Sequence, residues 1–332
     1  MNLYLWRRSC GLMLAALIVA GLSACGGGGG GGATAVASPA AIDAGNAGQI
    51  TREVIDVGLG AGAFGVAVGG GGILSADGGS NTLAQALVRR RATIQQAQPT
   101  ASVGPEYVDC LVSGTALLSG SLDSEFTLTP GDSITIDFNQ CDDADGAIYD
   151  GRMRLGIANF SGDVFGDSYA LRATIALTEL AITEGGVTTV GDGALDLDLD
   201  ATVPLMTDFT VSGTLLALRS GADAWALRDF AITVTEDNTG VNLLTRYAGT
   251  GTLDGSGFEG AVDFMTVSPL VAAGPDHAAT GEVLITGANG ATIRATVLDP
   301  QTVRLAIDLN GDGMVDDTQE IPWTTSDGLG SG

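Results

Sequence analysis

A strict alternation of apolar and polar residues constrains the fold of this chain most. Leucine alternates with aspartate over Leu195–Asp200, and Ser133–Phe138 and Phe230–Thr235 keep a similar period of two. A β-strand points successive side chains to opposite faces, so this pattern predicts strands with one buried and one solvated face. The pattern extends from about residue 112 to residue 323.

Short turn sequences separate the alternating stretches. They are Gly185-Gly186, Asp237–Gly240, Asp254–Gly257, Asn289-Gly290 and Asn310–Gly313. Turns this short join antiparallel neighbours, because parallel strands need crossovers of a dozen residues or more. We therefore expect a mainly β fold, namely a large antiparallel sheet, sandwich or roll of roughly 12–15 strands. One or two N-terminal helices should cover part of its apolar face.

The region before the strands has a different pattern. Ile50, Val54 and Val57 recur at helical spacing and predict a short amphipathic helix, whose polar side carries Thr51, Arg52, Glu53 and Asp56. A second helix is expected over residues 81–98. Between them, residues 57–74 contain eight glycines and no charge. Their small-residue spacing fits membrane-helix dimers, but the many glycines favour a segment packed on the sheet or a loop.

The first 25 residues combine two arginines, an apolar run over residues 11–20 and small residues before Cys25. The run ends at Leu22-Ser23-Ala24-Cys25, which resembles the lipobox of bacterial lipoproteins. The resemblance implies export, cleavage before Cys25 and acylation of its thiol. Gly26, in place of aspartate, implies sorting to the outer membrane. An ordinary signal peptide with a chance cysteine is the alternative, since the apolar run is too short for a permanent membrane span.

These patterns divide the chain into five parts. Residues 1–24 form the signal peptide, 25–48 a glycine-rich tether, 49–104 a helical and glycine-rich segment, 105–326 the antiparallel β domain and 327–332 a flexible tail. The tether begins with seven consecutive glycines. We expect it to hold the domain near the membrane, on the periplasmic face or at the cell surface.

The charge of the mature chain excludes nucleic acid as a partner. Removing residues 1–24 takes away two of the 14 basic residues and none of the 39 acidic ones, leaving a net charge of −27. Nucleic-acid phosphates are bound by arginine and lysine, and this chain contains no lysine. The resemblance to lipoproteins implies a membrane partner, reached through the N-terminal lipid. The sequence does not identify a protein or glycan partner.

Two further cysteines, Cys110 and Cys141, follow the anchor in the exported part. An even number of cysteines in an oxidising compartment predicts a disulfide. Their neighbourhoods, with the closing hairpin over residues 303–323, resemble β-rich lipoproteins of Gram-negative bacteria that have no assigned activity.

Few residues offer catalytic chemistry. His277 is the only histidine, so neither a zinc site nor a catalytic triad is expected. Two Gly-Asp-Ser triplets, at residues 131–133 and 166–168, resemble the nucleophile block of GDSL esterases, but Gly274 stands where that family needs aspartate before its histidine. Asp196, Asp198 and Asp200 would project ~7 Å apart from one strand face, a spacing compatible with glycosidases but also typical of a solvated strand.

Oxygen-bearing side chains recur near the C-terminus with calcium-loop spacing. The candidate ligands are Asp308, Asn310, Asp312, the Met314 carbonyl, Asp316 and Glu320. With Gly313 at the sixth position, this segment resembles the Ca²⁺ loops of EF-hands and dockerins. It departs from them because Gln319 stands at the twelfth position and the flanks predict strands. A hairpin turn without metal is the alternative.

The sequence as a whole favours a non-enzymatic outer-membrane lipoprotein, a structural or binding module with a weak calcium-binding loop. A carboxylate-dependent periplasmic or surface hydrolase is one alternative, which acidic residues clustered in a concave pocket would favour. An accessory subunit of an outer-membrane assembly or secretion machine is the other.

Overall fold

A computed structural model describes residues 37–59, 101–122, 128–142, 147–162, 168–240, 243–273 and 278–323. Within these ranges, fourteen antiparallel strands form one sheet whose strand order is the order of the chain. The predicted mainly β class is confirmed, and the number of strands falls in the predicted range. The signal peptide, Cys25, the predicted second helix and the C-terminal tail lie outside the described residues.

The strands are β1 Ala101–Asp109, β2 Ser113–Leu122, β3 Ser133–Asp142, β4 Ala147–Gly162, β5 Tyr169–Glu184, β6 Val187–Asp200, β7 Met206–Ser220, β8 Asp223–Asp237, β9 Leu244–Gly255, β10 Ala261–Ala273, β11 Thr280–Thr286, β12 Thr292–Asp299, β13 Thr302–Asp308 and β14 Asp317–Pro322. An α-helix, α1, covers Ala47–Glu53 and continues as a π-helical turn over Val54–Leu59. A 3₁₀ turn occupies Ala288–Gly290. All five predicted turn sequences fall between consecutive strands or at their ends.

The alternation of apolar and polar residues gives each strand a buried and a solvated face, as the sequence predicts. On β6, Leu195, Leu197 and Leu199 are at most 3% exposed, while the aspartates between them face solvent. Most of the buried apolar side chains of the described strands belong to one apolar cluster.

Irregularities interrupt the pairing of the long strands. The pairing register shifts beside Gln140, Glu179 and Asp229, each with a positive φ between 43° and 49°. These are β-bulges, which bend a strand and increase its twist. Gly151 faces the bulge at Glu179 with φ 97°, and a Cβ there would collide with the Glu179 carbonyl. Part of the glycine excess therefore lies opposite bent strands.

The predicted disulfide is present. Cys110, just after β1, pairs with Cys141 near the end of β3, with their Cα atoms 5.5 Å apart. The bond ties the β1–β2 turn to the third strand, and both cysteines are at most 8% exposed. It fixes the first edge of the sheet at one end of the strands.

The predicted amphipathic helix is also present. Ile50 and Val54 are fully buried and Val57 is 4% exposed. Thr51, which the sequence pattern assigns to the polar face, is instead 1% exposed. Its hydroxyl donates to the Ala47 carbonyl at 2.8 Å, so the buried polar group keeps a hydrogen bond inside the helix.

The chain reaches this helix along one end of the sheet. The Ala40 and Ala261 backbones pair at the start of β10, and Gln319 of β14 donates to the Ala44 carbonyl at 2.7 Å. Ala40 and Ile42 are buried, although the composition assigns residues 25–48 to a tether. The reason is that alanine and isoleucine here cover apolar surface at the strand ends. We call this end, where residues 38–59 pack, the helix end of the sheet.

The outer face of the sheet carries ion pairs. The pairs are Arg152–Asp137, Arg172–Asp198, Arg219–Glu179, Arg246–Asp237, Arg294–Glu282 and Arg304–Glu320. Most of these side chains are substantially exposed, so each pair adds little stability. They neutralise part of the acidic surface.

Candidate functional sites

A part-buried group of polar side chains lies at the helix end, around Glu53. The Trp225 indole N–H donates to Glu53 Oε2 at 3.1 Å, and the Gln49 amide donates to Oε1 at 3.3 Å. The Gly257 backbone N–H donates to the same carboxylate. A Cβ at position 257 would collide with this carboxylate, so glycine is needed for the close approach.

Burial changes the acidity of two carboxyls here. Desolvation raises the pKa of Glu53, the hydrogen bonds from Gln49 and Trp225 lower it, and nearby Asp223 raises it. Asp56 lies in the π-helical turn, where desolvation raises its pKa to about 7; Arg52 acts to lower this pKa and Glu53 to raise it. Both carboxyls therefore favour their neutral form more than exposed acids do.

This group joins residues 172 positions apart in the sequence. The helical spacing places Glu53 and Asp56 on the polar side of the predicted helix, which is correct for an isolated helix. No local signal linked that helix to Trp225. The partners of Glu53 come from the helix, β8 and the β9–β10 turn, so the group fixes the helix to the sheet.

The calcium-loop candidate connects β13 to β14 at the same end. Asp308 is 7% exposed, and its carboxylate accepts N–H groups from Asn310 at 3.2 Å, Gly311 at 2.7 Å and Gly313 at 2.7 Å. Desolvation acts to raise the pKa of Asp308, but these N–H groups, together with that of Asp312, hold it below its ordinary value. The loop thus turns around a carboxylate that its own backbone binds.

The other candidate calcium ligands differ in their hydrogen-bond partners. Asn310 and Asp312 each accept the N–H two residues ahead, at 2.9 and 2.8 Å, and Asp316 accepts that of Leu309 at 2.8 Å. The Met314 side chain is 69% exposed. Glu320 is not brought into the loop, because β14 pairs without a bulge and Glu320 binds Arg304 at 2.9 Å.

The loop therefore fits calcium only in part. Four of its residues supply side-chain oxygens in a short stretch, but a bidentate carboxylate at the twelfth position is missing. Among the described residues, no three His, Cys, Asp or Glu side chains lie close enough together to hold a metal ion.

The strand carboxylates lie on the outer face. Asp196, Asp198 and Asp200 are exposed. Arg172 binds Asp198 at 2.9 Å, and hydrogen bonds from the Thr202 hydroxyl and N–H lower the pKa of Asp200. A general acid needs a raised pKa, so the environment of Asp200 suits an exposed ionised carboxylate rather than an acid catalyst.

The first Gly-Asp-Ser triplet lies in and just after the turn that precedes β3. In the first triplet, Asp132 is 1% exposed and accepts the Thr129 N–H at 2.7 Å, which stabilises the turn before β3. Ser133 lies 3.5 Å from Ser121, oxygen to oxygen. His277 and most of the second triplet lie outside the described residues.

The comparisons with known proteins add no relatives. No protein-family model, curated protein or solved structure matches this chain. In the described part of the chain, no helix has the length and apolar character needed to cross a membrane.

Proposed function

We propose that this protein is a non-enzymatic lipoprotein, anchored in the outer membrane through acylated Cys25, whose β sheet is a structural or binding module of the cell envelope. The observation that carries the proposal is the sequence Leu22-Ser23-Ala24-Cys25 after a short apolar run. The Cys110–Cys141 disulfide supports it, because structural disulfides belong to exported proteins.

The arrangement of the carboxylates supports a non-enzymatic role. Glu53 accepts hydrogen bonds from Gln49 in its own helix and from Trp225 and Gly257, and the last two fix the helix to the sheet. Asp198 is paired with an arginine on the outer face. Catalytic pairs need carboxyls that face a substrate cleft, and these carboxyls are used in packing and surface ion pairs.

Weak calcium binding by the loop over residues 308–316 is a separate part of the proposal. Asp312 and Asp316 carry exposed carboxylates, and Asp308 adds a third, more enclosed one. An ion would compete with the N–H groups that Asp308 now accepts, and the bidentate ligand is missing. The expected Kd is therefore ~10⁻⁴–10⁻³ M, as in extracellular modules.

Fatty-acid labelling of the full chain in a Gram-negative host tests the anchor. The parent should incorporate labelled palmitate and fractionate with the outer membrane, whereas Cys25→Ser should do neither. Cys10→Ser is the matched control, since Cys10 lies in the predicted signal peptide and should not affect labelling. Equal labelling of the parent and Cys25→Ser would contradict the proposal.

A further inference from the structure

One carboxylic acid interrupts the apolar face of the sheet at the end opposite the helix end. On β8, Ile232 and Val234 are at most 2% exposed, and Glu236 follows them in the same period of two. The next residue, Asp237, binds Arg246 at 3.7 Å on the outer face. The Glu236 side chain therefore lies on the apolar face, where it is half-buried.

The strand register places two hydroxyls and an aromatic ring around Glu236. Glu236 pairs with Thr207 of β7 on one side and with Thr245 of β9, which is 7% exposed, on the other. Tyr247 pairs with Val234 and therefore takes the diagonal position, within reach of a long side chain. Its ring is partly buried against the apolar cluster. Three strands thus bring a carboxyl, two hydroxyls and a phenol ring together at one strand end.

Glu236 differs from two other half-buried carboxyls because nothing stabilises its charge. Burial raises the pKa of Glu236, as it raises the pKa of Glu53 and of Asp254. Hydrogen-bond donors act to lower the pKa of Glu53, and Arg228 acts to lower that of Asp254. In the part of the chain that the structure describes, no hydrogen bond or ion pair compensates Glu236. A half-buried carboxylate without a donor is costly, so this position suits a ligand that brings a positive charge.

The side chains around Glu236 favour an organic cation over a metal ion. Calcium takes about six to eight oxygen ligands. Among the described residues, no three His, Cys, Asp or Glu side chains could hold a metal ion. An organic ammonium needs only one carboxylate, and its charge is attracted to the face of an aromatic ring such as that of Tyr247. Its alkyl groups could contact the buried side chains of Val234 and Ala272, which neighbour the site in the strand register.

We propose that the ends of β7, β8 and β9 hold a binding site for a small organic ammonium ion, formed by Thr207, Glu236, Thr245 and Tyr247. Glu236 is the counter-ion, and the bound ammonium supplies the donor that this carboxyl lacks. The inference names a ligand class for the binding module of the proposed function. It rests on that part of the proposed function and not on the acylation of Cys25.

Titration of the full chain with tetramethylammonium chloride at constant ionic strength tests the site, with saturation-transfer NMR of the methyl protons as the readout. The parent should bind this probe saturably. Glu236→Gln should weaken binding about tenfold or more, because the counter-ion is lost while the side-chain size is kept. Tyr247→Leu should weaken it about fivefold, through loss of the aromatic face. Asp237→Asn is the matched control and should leave the Kd unchanged, since Asp237 is the next residue but lies on the outer face.

Glycerophosphocholine in place of the free ion distinguishes two sources of the same ammonium chemistry. Tighter binding of glycerophosphocholine than of tetramethylammonium would support the site with a phospholipid headgroup as its ligand. Weaker binding would support it with a free ammonium ion, because the phosphate is repelled by the acidic surface.

A neutral molecule of similar shape, tert-butanol, should not bind. No binding of the ion to the folded parent, an equal Kd in the parent and Glu236→Gln, or alcohol binding as tight as ion binding would overturn the proposal. Melting curves should show Glu236→Gln at least as stable as the parent, because the substitution removes a half-buried charge. These failures would leave fatty-acid labelling at Cys25 intact, and loss of labelling would leave ammonium binding intact, so the two are distinguishable.

Discussion

Two regions of this sheet are held in different ways. We call the strands β1 to β3 the disulfide side and the strands beneath the N-terminal helical segment the packed side. At the first side, a covalent bond between Cys110 and Cys141 ties the β1–β2 turn to β3, across 31 residues of sequence. At the other side, the N-terminal helical segment packs mainly on β8, β9, β12 and β13, and Glu53 meets Trp225 across 172 residues. β1 and β14 are both edges of the described sheet. The disulfide therefore restrains the β1 edge, whereas the helical segment restrains interior strands and the chain before it reaches the β14 edge through the Gln319–Ala44 hydrogen bond.

Removing the covalent constraint should have the largest effect. Replacing both Cys110 and Cys141 by alanine should lower the free energy of unfolding by about 3.5 kcal/mol, because a closed loop of this length restricts the unfolded chain. Urea denaturation of parent and variant would measure the change. Reduction of the parent is the control and should reproduce most of the loss; a loss below ~1 kcal/mol would show that the disulfide does not restrain this side.

Weakening the packed constraint should have a slightly smaller effect. Ile50→Ala should cost about 3 kcal/mol, since Ile50 is fully buried and the cavity cannot fully collapse. Ile55→Ala is the matched control, because Ile55 is only partly buried and should cost less. The same urea titrations would give both values.

Hydrogen exchange would report the stability of the two sides separately. In Ile50→Ala, amides of β12 and β13 should lose protection while those of β2 and β3 keep it, because α1 packs on the former pair. The double cysteine variant should show the reverse. Equal loss of protection on both sides in either variant would mean that the sheet unfolds as one unit.

The difference between the sides also separates what the sequence could predict from what it could not. Strand positions follow from a period of two, as in Leu195–Asp200, and the disulfide follows from counting exported cysteines. Both signals are local or compositional. The docking of the helix depends on the approach of Glu53 to Trp225 and Gly257, which no local pattern reports.

The candidate sites show the same limit. The turn sequence Asn310–Gly313 correctly predicts a turn between two strands, while calcium binding, predicted from the spacing of Asp308, Asn310 and Asp312, stays a prediction. Spacing does not reveal that Asp308 accepts three N–H groups of its own loop, or that Glu320 binds Arg304. Those contacts depend on the strand register, which was not predictable from turn signals alone.

The packed side should also respond to pH, whereas the disulfide should not. The pKa of Asp56 is raised to about 7 in the folded protein from ~3.9 in the unfolded chain. Folding therefore favours the neutral acid, and the free energy of unfolding should fall as the pH rises from about 4 to about 7, then level off. Glu53, whose pKa is raised, acts in the same direction; Asp308, whose pKa is lowered, contributes stability that is lost below about pH 4.

Replacing Asp56 by asparagine tests this dependence. At pH 8 the variant should be more stable than the parent by on the order of 2 kcal/mol, after allowance for partial exposure, and its stability should vary less between pH 5 and pH 8. Melting curves across this range would measure it. Asp196→Asn is the control, because Asp196 lies on the outer face and should leave the profile unchanged. A parent whose stability rises from pH 5 to pH 8 would contradict the assignment.

Calcium should have the smallest effect and should act on the packed side alone. The β13–β14 loop contacts the β11–β12 turn through Gly311 and Asn289, next to the segment that precedes the helix. An ion bound in this loop would therefore strengthen the packed side without acting on the disulfide side. At a concentration five times the Kd, the stabilisation should be about 1 kcal/mol.

The effect of calcium is measurable as a rise in melting temperature in millimolar Ca²⁺. Asp312→Ala should abolish this rise and leave the calcium-free melting temperature nearly unchanged, because Asp312 accepts only the exposed Met314 N–H. Asp308→Ala is the contrasting variant. It should lower the calcium-free melting temperature as well, because three loop N–H groups lose their acceptor. A calcium-dependent rise that survives both substitutions together, or no rise in the parent, would leave the segment as a hairpin turn whose shape depends only on its own hydrogen bonds.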